Sequence, residues 1–217
     1  MAVVSAAAVF RSPAATAEGE IRRKGSRFLA RLDPVADEET AGALLREVER
    51  DHRDATHHCW ARRLGWPAVA RSSDAGEPAG TAGAPILRAL EGSKLSDAIL
   101  VVTRWYGGVK LGRGGLARAY AEASRRAIEA ARLVERRPTS RYLLTAPYTS
   151  MGAVERVLGA PGLAVERKTF GELVQIELRV DLDRRRAVEE ALADLGPAVE
   201  LERLDSESPS PPIRRSR

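Results

Sequence analysis

Cysteine is almost missing from this chain: Cys59 is alone among 217 residues. No intrachain disulfide can form, and no cysteine-built zinc site can be assembled. A lone thiol fits a reducing compartment. Aromatic residues are scarce at 5%, so the cores must be built from Leu, Val, Ile and Ala. No apolar run approaches the roughly 20 residues that a membrane-spanning helix needs, so no membrane partner is expected. The first 20 residues hold an apolar patch and an Ala15-Thr16-Ala17 triplet, but their only basic residue, Arg11, follows the patch. A secretory signal needs the reverse order. Residues 1–20 therefore read as a loose N-terminal extension, and the protein as cytoplasmic.

Acidic charge is the other local absence. The chain carries a formal net charge of +5, with charged residues at 30%. Residues 21–137 hold 22 basic and 15 acidic side chains, a net of +7, while residues 138–205 hold 9 and 12, a net of −3. From Ala98 to Ala121 there is no acidic residue at all. Such asymmetry points to an anionic partner for the first part of the chain.

The length suits two modest domains. Arg27–Leu32 alternates as a strand. Asp37 can cap a helix that runs to about Arg50 and buries Ala41, Leu44, Leu45 and Val48. Residues 56–64 read as a second strand, and a Gly/Ala/Ser/Pro-rich loop follows. Thr81 is the expected N-cap of a short helix to about Glu91, with Pro85 in its first turn. The continuous apolar run 98–103 is a buried strand. Leu116, Tyr120, Ala123, Ala127 and Ala131 recur at helical spacing. Arg136-Arg137-Pro138 marks a boundary between a domain of residues 21–137 and one of residues 138–205. The latter reads β-α-β-β-α-β, the ferredoxin-like order. Residues 206–217 are too polar and Pro-rich to pack and read as a disordered tail.

Five glycines fall within Gly107–Gly115, inside the stretch "RWYGGVKLGRGGLARAY". A phosphate loop needs G-x-x-x-x-G-K-[ST], and here Arg113 and Gly114 replace its last two residues. The dinucleotide pattern is met by Gly112, Gly114 and Ala117, but it lies too far from the strand that ends near Arg104. No cofactor or metal is expected. What remains is physical. Gly107, Gly108, Gly112, Gly114 and Gly115 leave the backbone bare, and Gly114-Gly115 open a helix whose free N–H groups favour an anion. Arg104, Lys110, Arg113 and Arg118 add charge, and Trp105 and Tyr106 add rings for stacking. Equally open is that the glycines only permit tight packing.

A second loop, residues 72–85, carries Asp74 and Glu77, with Gly80, Thr81 and Gly83 opening the next helix. Turn-forming and capping roles, or pairing with Arg104 or Arg113 across a shared cleft, compete with acid–base chemistry. His57 and His58 point to opposite faces of a strand and cannot grip one metal together. Cys59 and His57 share a face, but no third group orients the base, so Cys59 reads as structural. His52 sits past a helix end, where its charge suits the dipole.

Together "KGSRFLA" (24–30), "HHCWA" (57–61), "SDAGEPAGTAGAPIL" (73–87) and "VVTRWYGGVKLGRGGLARAY" (101–120) resemble the YigZ/IMPACT family. The resemblance implies an α/β (α+β) protein, with a ribosomal protein S5 domain 2-like N-terminal domain. A ferredoxin-like C-terminal domain similar to the fifth domain of elongation factor G would follow. It marks Asp74, Glu77, Arg104, Gly107, Gly108, Gly112, Gly114 and Gly115 as motif positions without assigning their roles. Trp105 stands where many relatives carry another aromatic. Eukaryotic relatives regulate translation initiation through protein partners, using an extra N-terminal domain. The expected function is a non-enzymatic, translation-associated binder of RNA or a ribosomal surface, acting through the basic glycine-rich loop. Two alternatives stay open. One is an enzyme acting on a small phosphorylated or anionic substrate between the two loops. The other is an adaptor whose acidic second domain docks a protein partner. The oligomeric state is not legible.

Overall fold

The computed structural model describes residues 9–209, which fall into two compact units that meet between Glu135 and Arg136. The chain order in the first is β1 (Phe10–Pro13), β2 (Ala17–Arg23), β3 (Ser26–Pro34), α1 (Glu38–Asp51), β4 (His57–Leu64), β5 (Val69–Ser73), α2 (Gly83–Gly92), β6 (Ala98–Trp105), α3 (Gly112–Ala130) and β7 (Leu133–Arg136). Five strands form one antiparallel sheet in the order β2-β3-β6-β4-β5, and β1 pairs separately with β7.

The periodicities explain the layers. β6 lies in the middle of the sheet and is covered on both faces, so its apolar run needs no alternation. Leu100 and Val102 join Phe28, Leu32, Ile86, Leu116 and Tyr120 in one core, under α2 and α3. Ile99 and Val101 face the opposite way, onto Ala41 and Val48 of α1. α1 starts where Asp37 predicts: its Oδ1 accepts from the Thr40 amide at 2.8 Å, and the Thr40 hydroxyl accepts from the Asp37 amide at 3.3 Å. This capping box satisfies two otherwise orphan donors.

Three sequence expectations are corrected. The supposed loose extension contains β1 and the start of β2. Phe10 is buried and stacks on Trp66, with centroids 6.0 Å apart. β2 is an edge strand that fully buries only Ile21, so its apolar signal is weak. The loop before α2 contains β5, an edge strand with almost every residue exposed. Thr81 does not cap α2: its hydroxyl turns back to the Pro78 carbonyl at 2.6 Å. The capping carboxylate belongs to Asp74, described below.

The second unit contains β8 (Pro138–Ala146), α4 (Met151–Leu158), β9 (Leu163–Phe170), β10 (Val174–Asp181), α5 (Arg185–Ala193) and β11 (Glu200–Pro209). The antiparallel order β11-β8-β10-β9 with two helices is the ferredoxin-like arrangement. Tyr142, Leu144, Ile176 and Leu178 meet Val154, Leu158, Val188 and Leu192 in its core. β11 continues past Asp205 to Pro209, into the stretch expected to be tail, because it keeps pairing with β8. Expectations for residues 1–8 and 210–217 lie outside the described residues. No helix among the described residues is long and apolar enough to cross a membrane.

Candidate functional site

The glycine-rich loop leaves the end of β6 and enters α3. Beneath it lies a buried polar cluster. Arg104 faces the α2–α3 side of the sheet, with its guanidinium 5.3 Å from the centre of the Phe28 ring. Its Nη1 donates to Glu77 Oε1 at 2.6 Å, and the two side chains are only 6% and 3% exposed. The Tyr120 hydroxyl donates to the same oxygen at 2.7 Å. Ser26 Oγ accepts from the Gly107 amide at 3.1 Å and lies 3.4 Å from Arg104 Nη2. Breaking such a pair from one side strands a buried charge, which costs about 3–5 kcal/mol. Arg104 and Glu77 thus clamp the loop carrying Glu77 to the strand carrying Arg104.

Cys59 belongs to the same cluster. Its Sγ lies 3.0 Å from the Asp74 carbonyl and 3.3 Å from the Tyr120 hydroxyl. Burial pushes its thiol up to about 12, against a smaller opposing effect of the Tyr120 hydrogen bond. Burial also raises the Tyr120 phenol, and proximity to Cys59 adds to the rise. Neither ionises near neutral pH, so Cys59 is not an activated nucleophile. His57 Nδ1 pairs with the Ala75 carbonyl at 2.9 Å. His58 Nδ1 meets Thr103 Oγ1 at 3.1 Å, and burial lowers its pKa.

Asp74 organises the second loop. Its Oδ2 accepts from the Gly80 amide at 2.8 Å, and its Oδ1 from Ala82 at 2.9 Å and Gly83 at 2.8 Å. The last two are orphan donors at the start of α2, so Asp74 caps that helix from eight to nine residues upstream. Burial opposes ionisation, but the three amides outweigh it and hold the carboxyl below its usual value.

Above this cluster lies the exposed layer. Trp105 Nε1 donates to Asp54 at 2.9 Å, and the Arg27 guanidinium covers its ring at 4.5 Å. Tyr106 is 46% exposed and Val109 is 51% exposed. Lys110, Arg113 and Arg118 are exposed, as are Gly107, Gly108, Gly112 and Gly114, while Gly115 is half-buried. Arg113 Nη2 reaches the Ala79 carbonyl at 2.7 Å and ties the two loops together. α3 begins with no side-chain cap and no acidic residue in its first turn. Arg118 Nη1 lies 3.4 Å from where a Cβ on Gly114 would be. Two guanidinium groups therefore sit at the positive end of the helix dipole, where a cation is disfavoured by roughly 0.3–1 kcal/mol.

The structure separates the residues that the sequence grouped. Lys110, Arg113, Arg118, Tyr106, Gly108, Gly112 and Gly114 share the surface, whereas Gly107 gives its amide to Ser26 and packs on Gly25, and Gly115 is half-buried. Trp105 is half-buried, and Arg104 is withdrawn into the ion pair with Glu77 and is not a surface contact. Tyr120, Ser26 and Cys59 complete the cluster, although Tyr120 had the sequence signal of a core residue only. Gly80 and Gly83 supply amides to Asp74 or its turn, and Thr81 is buried.

Comparison with known proteins matches residues 24–128 to the Impact N-terminal domain and residues 144–196 to a domain of unknown function, DUF1949. The IMPACT family member YvyE of Bacillus subtilis is 34% identical over 179 residues, or 82% of each chain. The IMPACT family member YigZ of Escherichia coli is 39% identical over 139 residues, covering 63% of this chain and 68% of that one. A crystal structure described as that of a hypothetical protein superposes with a TM-score of 0.67 at 31% identity, covering 91% of this chain and 98% of the other.

Proposed function

The chain belongs to the IMPACT family, and from that premise we propose that it is a translation-associated regulatory protein. In this reading it binds RNA or a ribosomal surface through the glycine-rich loop and the start of α3. The observation that carries the reading is the uncapped α3 N-terminus, which has no acid in its first turn and has Arg113 and Arg118 beside it. The amides, the dipole and the guanidinium groups all favour negative charge at one spot. A phosphate there would relieve the repulsion that the free protein carries. Tyr106 adds a half-exposed ring on which a base can stack. Arg104 contributes indirectly, by holding the loop in place.

One observation weighs against the enzymatic alternative. Both carboxylates it requires are engaged, Asp74 with three backbone amides and Glu77 with Arg104 and Tyr120.

The test is binding of single-stranded RNA and ribosomal RNA fragments to the wild type and to Lys110→Ala/Arg113→Ala. Charge-assisted hydrogen bonds contribute about 1.5–3 kcal/mol each, so the double variant should bind at least tenfold more weakly with an unchanged circular dichroism spectrum. Equal affinity would overturn the proposal. Crosslinking in cells would then identify the bound RNA.

A further inference from the structure

Another surface of the first unit shares only Arg118 with the RNA reading. α2 and α3 pack side by side over the sheet, and an open groove of about 520 Å³ runs between them. Its floor is apolar, formed by Pro85, Ala89, Ala121 and Ile128. Its rims are basic, with Arg88 from α2 and Arg118 and Arg125 from α3. Glu122 also reaches the groove, but Arg23 holds its carboxylate at 2.7 Å. Arg125 has only a solvent-exposed pairing with Glu129 at 3.5 Å. Arg88 and Arg118 have no acidic partner among the described residues.

An apolar floor between guanidinium rims selects for a ligand that is apolar along one line and anionic on both sides of it. An amphipathic protein segment has that form, with anchors at successive turns and carboxylates flanking them. RNA fits less well, because no aromatic ring lines the floor to stack a base. A small molecule fits less well too, because an open groove leaves most of its surface in water. We propose that the α2–α3 groove docks an acidic amphipathic segment of a partner protein. Apolar side chains would lie on Ala89 and Ala121, and carboxylates would meet Arg88, Arg118 and Arg125. This does not depend on the RNA reading; only Arg118 belongs to both surfaces.

The experiment uses the full chain and a fluorescent synthetic helix of about 16 residues, with Leu at i, i+3, i+4 and i+7 and Glu flanking them. Controls are the same peptide with Lys in place of Glu, and a single-stranded uridine oligonucleotide. Ala121→Glu and Arg88→Glu both lie at exposed helical positions, so folding is preserved, as circular dichroism would verify. The acidic peptide should bind and the lysine peptide should not. Each substitution should weaken peptide binding at least tenfold and leave oligonucleotide affinity unchanged. The proposal fails if the acidic peptide does not bind, or if it binds both variants as tightly as the wild type. It also fails if the substitutions abolish oligonucleotide binding and spare the peptide, which would assign the groove to nucleic acid.

Discussion

A Cβ added to Gly107 would lie 1.9 Å from the backbone of Gly25, so the fold itself demands glycine there. Gly114 is different. Its backbone is helical, and a Cβ would meet only the flexible end of Arg118 at 3.4 Å. A helix normally gains about 0.5–1 kcal/mol from Ala in place of Gly. The bareness of Gly114 therefore answers to something outside the fold, such as the close approach of a ligand. Thermal unfolding should separate the two. Gly107→Ala should lower the melting temperature by many degrees through overpacking. Gly114→Ala should raise it slightly while weakening RNA binding. A destabilised Gly114→Ala variant with full affinity would contradict this.

Asp74 gives a pH prediction at the same scale. Its three amide donors depress its pKa in the folded state, so the unfolded chain, with a value near 3.9, binds the proton more tightly. The stabilisation is complete above about pH 5 and is lost as the pH falls through the folded value. Asp74→Asn should be less stable at pH 7 and show a flatter decline below about pH 4 in urea melts. Parallel acid limbs for the two proteins would refute the capping role.

Among the elements, α1, α3, β4, β6, β8, α4, β10 and α5 were legible, for a shared reason. Each buries a continuous stripe or face, so its period is written in apolar residues. β2 and β5 were not legible because, as edge strands, they bury little; β9 is an equally exposed edge strand and was legible only through the β-α-β-β-α-β order around it. The site was half legible. Bare backbone and basic charge are visible in composition, but the depth of Arg104 is not. Pairing of Glu77 with Arg104 was among the sequence alternatives and is what the structure shows, but a residue at the end of a strand reads the same whether it is exposed or buried. Strand position also predicts local stability. β6 is paired on both sides, by β3 and β4, whereas β5 pairs only with β4. Amide hydrogen exchange should be slowest in β6 and fastest among the sheet strands in β2 and β5. Exchange in β6 as fast as in β5 would mean that the sheet is ordered differently.

Across the whole molecule, charge divides as the units do. Residues 21–137 carry a net of +7 and residues 138–205 a net of −3. A fragment of residues 1–137 should retain RNA binding, and one of residues 138–217 should show none; the reverse outcome would move the interface to the second unit. The most direct test of the central claim is the salt dependence of binding to single-stranded RNA by the full chain. Each neutralised phosphate contributes about −0.7 to the slope of log affinity against log salt. With Lys110, Arg113 and Arg118 engaged, the slope should be about −2, and Lys110→Ala/Arg113→Ala should reduce it to about −0.7. A slope indistinguishable from zero in the wild type, or one that the double substitution leaves unchanged, would contradict an electrostatic interface at the start of α3.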